Sequence, residues 1–407
     1  MAQLFFVIIS FILIPVLGKT KLKLSTILFI SAGVLAVLSG IGTENIVDSV
    51  KNTVTGSSLN TILTILMVSV LGGVMKQYKI LDKIVDTIQQ IVSSKKTILM
   101  IIPALIGVLI IPGGALLSAP FIYNLGEEMN IPAPKRAAIN LVFRHVAMFL
   151  LPYSTGLLVI TASIPEISMV RLVLLNLAFV VPMFVVGYFL YIKDIKAPKN
   201  TNRKDIGSNV MKLVMYTSPI YICVIINAVT GLPFYITMAA SVLAVYFLSD
   251  RNDFIKNVIK SINWQTVLMV AAILLLKELI LKMDDLLLIF SGMFDKNGSI
   301  FSALLIFLVS SVFFGIITGN QTAALAIILP MVSQLDVSMD MLHVYTYFSF
   351  ASAFIGYFFS PIHLCQAFTI QLMNVTTLEL YKEYRWYLLS SLIVLFASAF
   401  LFNTIFA

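Results

Sequence analysis

The chain has 407 residues, of which 59% are hydrophobic and only 11% charged, with a formal net charge of +8. A water-soluble core cannot absorb that share of apolar surface, so lipid must solvate much of it. The positive balance does not indicate a nucleic-acid partner, because the Lys and Arg sit in short loops between apolar runs, the pattern that sets membrane topology.

Crossing a bilayer as a helix takes roughly 17–25 apolar residues. The first half offers spans at 3–18, 24–41 and 59–75, an interrupted segment at 98–124, and further spans at 137–162 and 171–192. The opening stretch has no basic leader and no small-residue cleavage pattern, so it reads as a retained helix that Pro15 kinks or ends. Residues 78–93 place Ile80, Leu81, Ile84, Val85, Ile88 and Ile91 on one side, with Lys79, Asp82, Lys83 and Asp86 elsewhere. That spacing predicts an amphipathic helix in the cytoplasmic interface, and 286–293 suits a similar role on the other face. A polar linker at 193–212 follows. The second half then repeats the plan, with spans at 213–229, 233–248 and 264–281, an interrupted segment at 300–332, and spans at 342–373 and 387–406.

The basic residues orient these spans. With the loop of Lys19, Lys21 and Lys23 in the cytoplasm, and each interrupted segment turning back to its own side, most of the 27 Lys and Arg fall inside. Lys51, Arg171, Lys277, Lys282 and Lys296 fall outside, and Arg144 lies within a span. Full crossing by the interrupted segments would move the basic linker to the other face. The fold class is therefore an all-α polytopic membrane protein made of two repeats, 1–192 and 213–407. Each holds five transmembrane helices and one re-entrant helical hairpin. The odd number of crossings inverts the second copy, and both termini lie outside the cytoplasmic membrane of a prokaryotic cell.

The interruptions are the chemical signal. The first hairpin breaks at Pro112-Gly113-Gly114 and the second at Gly319-Asn320-Gln321-Thr322. Broken helices at matching places in two halves point to a transporter's binding site. Backbone groups without partners are too costly in lipid, so such breaks must line a cavity or bury against protein. The half-helix after each break aims its free N–H groups at the break, a setting for an anion. Ser118 and Thr322 add hydroxyls, and Asn320 and Gln321 add amides. A second break follows each hairpin: Pro152-Tyr153-Ser154-Thr155 in the first half, and Ser360-Pro361-Ile362-His363 leading to Gln366 in the second. Pro152 and Pro361 are offset along the chain almost as Gly113 and Gly319 are, which supports a true repeat. Ser154, Thr155, Ser360, His363 and Gln366 are the candidate ligands on that wall.

Arg144 and His145 lie inside the 137–162 span, where a charge is costly and must face the interior or reach the cytoplasmic surface. The breaks carry no Asp or Glu, which favours binding through dipoles, amides and hydroxyls over a carboxylate proton relay. No H-E-x-x-H, G-x-S-x-G or P-loop pattern occurs, so neither an enzyme nor direct ATP drive is indicated. Cys223 and Cys365 sit in apolar runs far apart in sequence, so neither a disulfide framework nor a metal knuckle is indicated.

This arrangement resembles the ion-transporter superfamily of secondary carriers, which includes gluconate permeases, sodium–dicarboxylate symporters and the large membrane subunits of TRAP transporters. More closely, P-G-G-A-L-L-S-A-P at 112–120 and S-P-I-H-L-C at 360–365 resemble a prokaryotic integral-membrane family catalogued as a domain of unknown function. The resemblance implies a scaffold, a moving part bearing the hairpins as in elevator carriers, and a homodimer. Sodium–dicarboxylate carriers have Ser-Asn-Thr at each hairpin tip, and this chain does not. The expected function is secondary active transport of a small carboxylate anion coupled to Na⁺ or H⁺, with no cofactor beyond Na⁺ as the coupling ion. An exchanger or anion channel of the same architecture, or a TRAP-like subunit, is the alternative.

Overall fold

The computed structural model describes residues 2–108, 115–196, 205–293 and 300–406. Pro112, Gly113 and Gly114 of the first hairpin tip, and residues 197–204 of the linker, lie outside the described residues. All regular structure among the described residues is helical.

The first half begins with α1 (Ala2–Leu17) and α2 (Leu24–Leu38), followed by α3 (Gly42–Thr53), α4 (Gly56–Gln77) and α5 (Ile80–Ile91). Two arms, α6 (Lys95–Val108) and α7 (Ala115–Glu128), flank the first break. A broken pair, α8 (Ala133–Val146) and α9 (Thr155–Ser163), precedes α10 (Met169–Gly187), which continues through a π-helical turn at Tyr188–Ile192. The second half runs in the same order. Its members are α11 (Ile206–Thr230), α12 (Phe234–Leu248), α13 (Phe254–Lys260), α14 (Trp264–Ile280) and α15 (Asp284–Met293). The arms α16 (Ile300–Thr318) and α17 (Gln321–Val332), the broken pair α18 (Met339–Phe358) and α19 (Leu364–Met373), and the long α20 (Thr377–Phe406) complete it.

Packing partners between the halves are reciprocal. Helix α4 lies against α12 and α14 against α2, while α9 lies against α17 and α19 against α7. Within each half the first hairpin arm crosses the broken helix at glycine. A Cβ on Gly107 of α6 would sit 1.9 Å from the Arg144 carbonyl of α8, and one on Gly356 of α18 would sit 2.4 Å from the Val312 carbonyl of α16. Small residues at these crossings bring the backbones within direct contact, the usual basis of tight helix packing in lipid.

Five helices (α4, α10 with its turn, α11, α16 and α20) are long and apolar enough to cross a bilayer, and α13 with α14 makes a sixth as a bent pair. Helix α10 exposes Val170, Leu174, Leu177, Val181, Val185 and Phe189 at helical spacing. A large unbroken apolar stripe on the outside is a lipid-facing surface. Polarity is turned inward instead: α8 is buried from Arg136 to Val146 and α17 from Thr322 to Val332. Helices without an exposed face belong at the centre of the bundle.

Three features differ from expectation. The segment 42–53 forms a polar helix, α3, that the apolar pattern does not announce. Helix α5 exists as expected, but its apolar face (Ile80, Leu81, Ile84, Ile88) is buried and packs with α11 inside the protein. Arm α16 rises roughly 28 Å at 1.5 Å per residue, nearly the full hydrocarbon thickness, where a half-crossing arm needs less.

Candidate functional site

The second-half break is held by its own side chains. Gly319 has φ +57°, and a Cβ there would meet Ile362 at 2.7 Å, so the hairpin tip seats directly on the Pro361 break. Only glycine combines that left-handed turn with so close an approach. Asn320 caps α17: its Oδ1 accepts from the Ala323 N–H at 3.0 Å, the usual service of Asn at a helix start. Gln321 Nε2 donates to the Phe350 carbonyl of α18 at 3.0 Å. Ser360 Oγ donates to the Ile316 carbonyl at 2.7 Å and accepts from the Ile362 N–H at 3.3 Å, replacing backbone partners lost at the break. Thr318, which sequence reasoning passed over, donates to the Phe314 carbonyl and accepts from the Asn320 N–H.

The first-half break is different. Helix α8 carries Arg136, Asn140 and Arg144 four residues apart, a polar stripe that is wholly buried. Asn140 Nδ2 reaches Thr369 of α19 at 3.0 Å. Arg144, 3% exposed, has no hydrogen-bond partner for Nε or Nη1 among the described residues and stands in no ion pair there. The chain then turns through Ala147–Phe149 to Pro152, and Ser154 begins α9 with a buried Oγ that also has no partner there. Tyr153 anchors this turn by donating to the Ile220 carbonyl of α11 at 3.1 Å.

Between the two breaks lies a cavity of about 650 Å³. Arg144, Ser154 and Thr155 line one wall, and Gly319, Asn320, Gln321, Thr322 and His363 line the other. Phe149 and Phe350 add apolar surface, and Lys19 stands at its border. Ser118, Ser360, Gln366 and His145 are not lining residues. Ser360 is engaged with α16, while Ser118 and Gln366 sit buried without partners among the described residues, on the mutually packed helices α7 and α19. Gly113 and Gly114 fall outside the described residues. A second, open recess of about 920 Å³ shares Asn263 and Gln265 with the cavity. Lys23, Lys76, Lys79 and Lys260 line it, with Asp82 as the acidic counterpart.

A family model described as Protein of unknown function (DUF401) matches residues 1–405. The chain belongs to that family. No curated protein matches it.

Several residues of this DUF401 chain acquire meaning only in three dimensions. His145 Nδ1 lies 2.7 Å from the Leu141 carbonyl, and His363 Nδ1 lies 3.3 Å from the Phe358 carbonyl. The two rings stand 4.8 Å apart and edge-on, with Tyr357 packed 4.1 Å from His363. A 212-residue sequence separation between His145 and Tyr357 hides this cluster from any local motif. Lys277 and Glu278, with Lys277 placed on the outer face from sequence, form a buried ion pair that Asn52 of α3 joins at 3.5 Å. The pairing explains why α3 packs on α14: a buried charge pair needs further hydrogen bonds to be tolerable.

Proposed function

We propose that this protein is a secondary active transporter for a small organic anion bearing a carboxylate, driven by Na⁺ or H⁺. The observation that carries the reading is the cavity bounded by breaks from both halves, with a guanidinium in its wall that has no partner for Nε or Nη1 among the described residues. A buried cation without a protein counter-charge is costly, and an anionic guest would relieve that cost with charge-assisted hydrogen bonds. The N-terminus of α17 opens on the same cavity and favours negative charge for the same reason a helix start binds phosphate. Ser154 offers a hydroxyl with no partner among the described residues. The lysine-lined recess joined to the cavity through Asn263 and Gln265 would concentrate anions at the cytoplasmic mouth.

In this reading the two halves are inverted repeats with re-entrant hairpins, related by the reciprocal contacts of α4 with α12 and α14 with α2. Helices α1–α4 and α11–α14 form a scaffold, and the hairpins with α8–α9 and α18–α19 move against it as in an elevator carrier. The same scaffold would pair in a homodimer. The deciding experiment is uptake by proteoliposomes under imposed Na⁺ or H⁺ gradients across a panel of organic acids. The same gradients assign the coupling ion between Na⁺ and H⁺. Gradient-dependent accumulation of one class supports the proposal. Flux that ignores every gradient, or no flux with any acid, sinks it.

A further inference from the structure

We propose that His145, His363 and Cys365 form a metal site for a thiophilic d¹⁰ cation, Zn²⁺ or Cu⁺, at the edge of the cavity. One ligand atom of each residue lies within 4.8 Å of the other two. Three atoms at the corners of such a triangle stand no more than ~2.8 Å from its centre, within ~0.7 Å of ordinary Zn–N and Zn–S bond lengths. Small side-chain rotations therefore close the site without moving a helix.

The tautomers suit ligation. Each histidine has Nδ1 beside a backbone carbonyl, Leu141 for His145 and Phe358 for His363, which makes Nδ1 the protonated nitrogen and puts the lone pair on Nε2. Holding one ring nitrogen on a carbonyl so that the other points at a metal is the common outer-shell arrangement of ligating histidines. His363 Nε2 is buried and has no partner among the described residues, while His145 Nε2 accepts a long hydrogen bond of 3.5 Å from Tyr357 Oη, which a metal ion would replace. Two imidazoles and a thiolate are a donor set for borderline-soft and soft cations rather than for Mg²⁺ or Ca²⁺.

Charge narrows the choice. Arg144 adjoins His145 and would repel a bare dication. Binding converts the Cys365 thiol to a metal thiolate and releases its proton to solvent, so a Zn²⁺ site carries one positive charge and a Cu⁺ site none. His363 and Cys365 both line the cavity, so the fourth position of a tetrahedral ion opens onto it. A carboxylate oxygen there would neutralise the zinc form. Ligands come from α8 in one half and from the start of α19 in the other, so the ion would also clamp the two halves together.

The test uses the full chain purified without a polyhistidine tag, stripped with chelator and titrated with Zn²⁺ and Cu⁺ against chromophoric competitors. Expected is one ion per chain, an affinity reduced at least ~10-fold in both Cys365→Ser and His363→Gln, and a thiolate-to-cobalt charge-transfer band with Co²⁺ that Cys365→Ser abolishes. Should His363→Gln fail to fold, the near-isosteric Cys365→Ser carries the result alone. Metal binding that both variants leave unchanged, or none in the unaltered chain, overturns the site. Metal content is read without transport, so its failure leaves the carrier proposal standing, and the reverse.

Discussion

The two walls of the cavity are built from similar residues and use them in opposite ways. On the second-half wall Asn320 and Gln321 are engaged by the architecture, Asn320 capping α17 and Gln321 tying α17 to α18. Ser360 behind the wall ties the Pro361 break to α16, and on the wall only the buried Nε2 of His363 has no partner among the described residues. On the first-half wall the Arg144 guanidinium and the Ser154 hydroxyl have no partners among the described residues. In a medium without water, a break must either satisfy its own backbone or leave groups for a guest to satisfy. The difference teaches that polarity at a break does not by itself mark a ligand; an unanswered polar group does.

That contrast can be broken at Arg144 first. Arg144→Gln should lower uptake about 100-fold, the loss of a charge-assisted contact of ~2–3 kcal/mol. The thermal midpoint of the same variant should hold or rise, because a buried charge with no counter-charge among the described residues has been removed. A collapsed midpoint would make Arg144 structural and erase the contrast.

On the opposite wall, Gly319→Ala forces a Cβ into a left-handed turn and onto Ile362. A loss of ~1–3 kcal/mol is expected, read as a lower thermal midpoint. Asn320→Ala should cost ~1 kcal/mol through the lost cap, with KM little changed in the folded fraction.

A matched serine pair sharpens the point further. Ser360→Ala should destabilise by ~1 kcal/mol and leave KM alone, whereas Ser154→Ala should keep the midpoint and raise KM several-fold. The reverse outcome would exchange the roles of the two walls.

The smallest effect is expected far from the cavity. Arg171 holds the half-buried Asp340 carboxyl below the ordinary carboxylate range, chiefly through their hydrogen bond. A depressed folded-state value contributes stability above the unfolded-state pKa and loses it as pH falls through the folded value. Thermal midpoints of Asp340→Asn and the unaltered chain should therefore differ slightly near neutrality and converge below about pH 4.

Much of the fold was legible from the residue order. Apolar runs long enough to span, prolines that cannot continue a helix, and glycine or asparagine at turns located nearly every helix and all three breaks that lie among the described residues. Helix α3 escaped because its residues are polar, and its place depends on the Lys277–Glu278 pair far along the chain. The burial of α5 escaped because an amphipathic face looks the same whether lipid or protein covers it.

The site divided along the same line. Composition, span length, loop charge and the spacing of the breaks are properties of local sequence, and they determined an all-helical chain with apolar helices long enough to cross a membrane and interrupted segments in both halves. Only the tertiary structure decided that Arg144, Ser154, Thr155, the 319–322 turn and His363 share one cavity, while Ser360 braces the wall and Ser118 and Gln366 lie elsewhere. It also gathered His145, His363, Tyr357 and Cys365 into one cluster. The physical reason is that a side chain's partners in a bundle come from helices distant in sequence, and hydrogen bonding in lipid is settled by those partners.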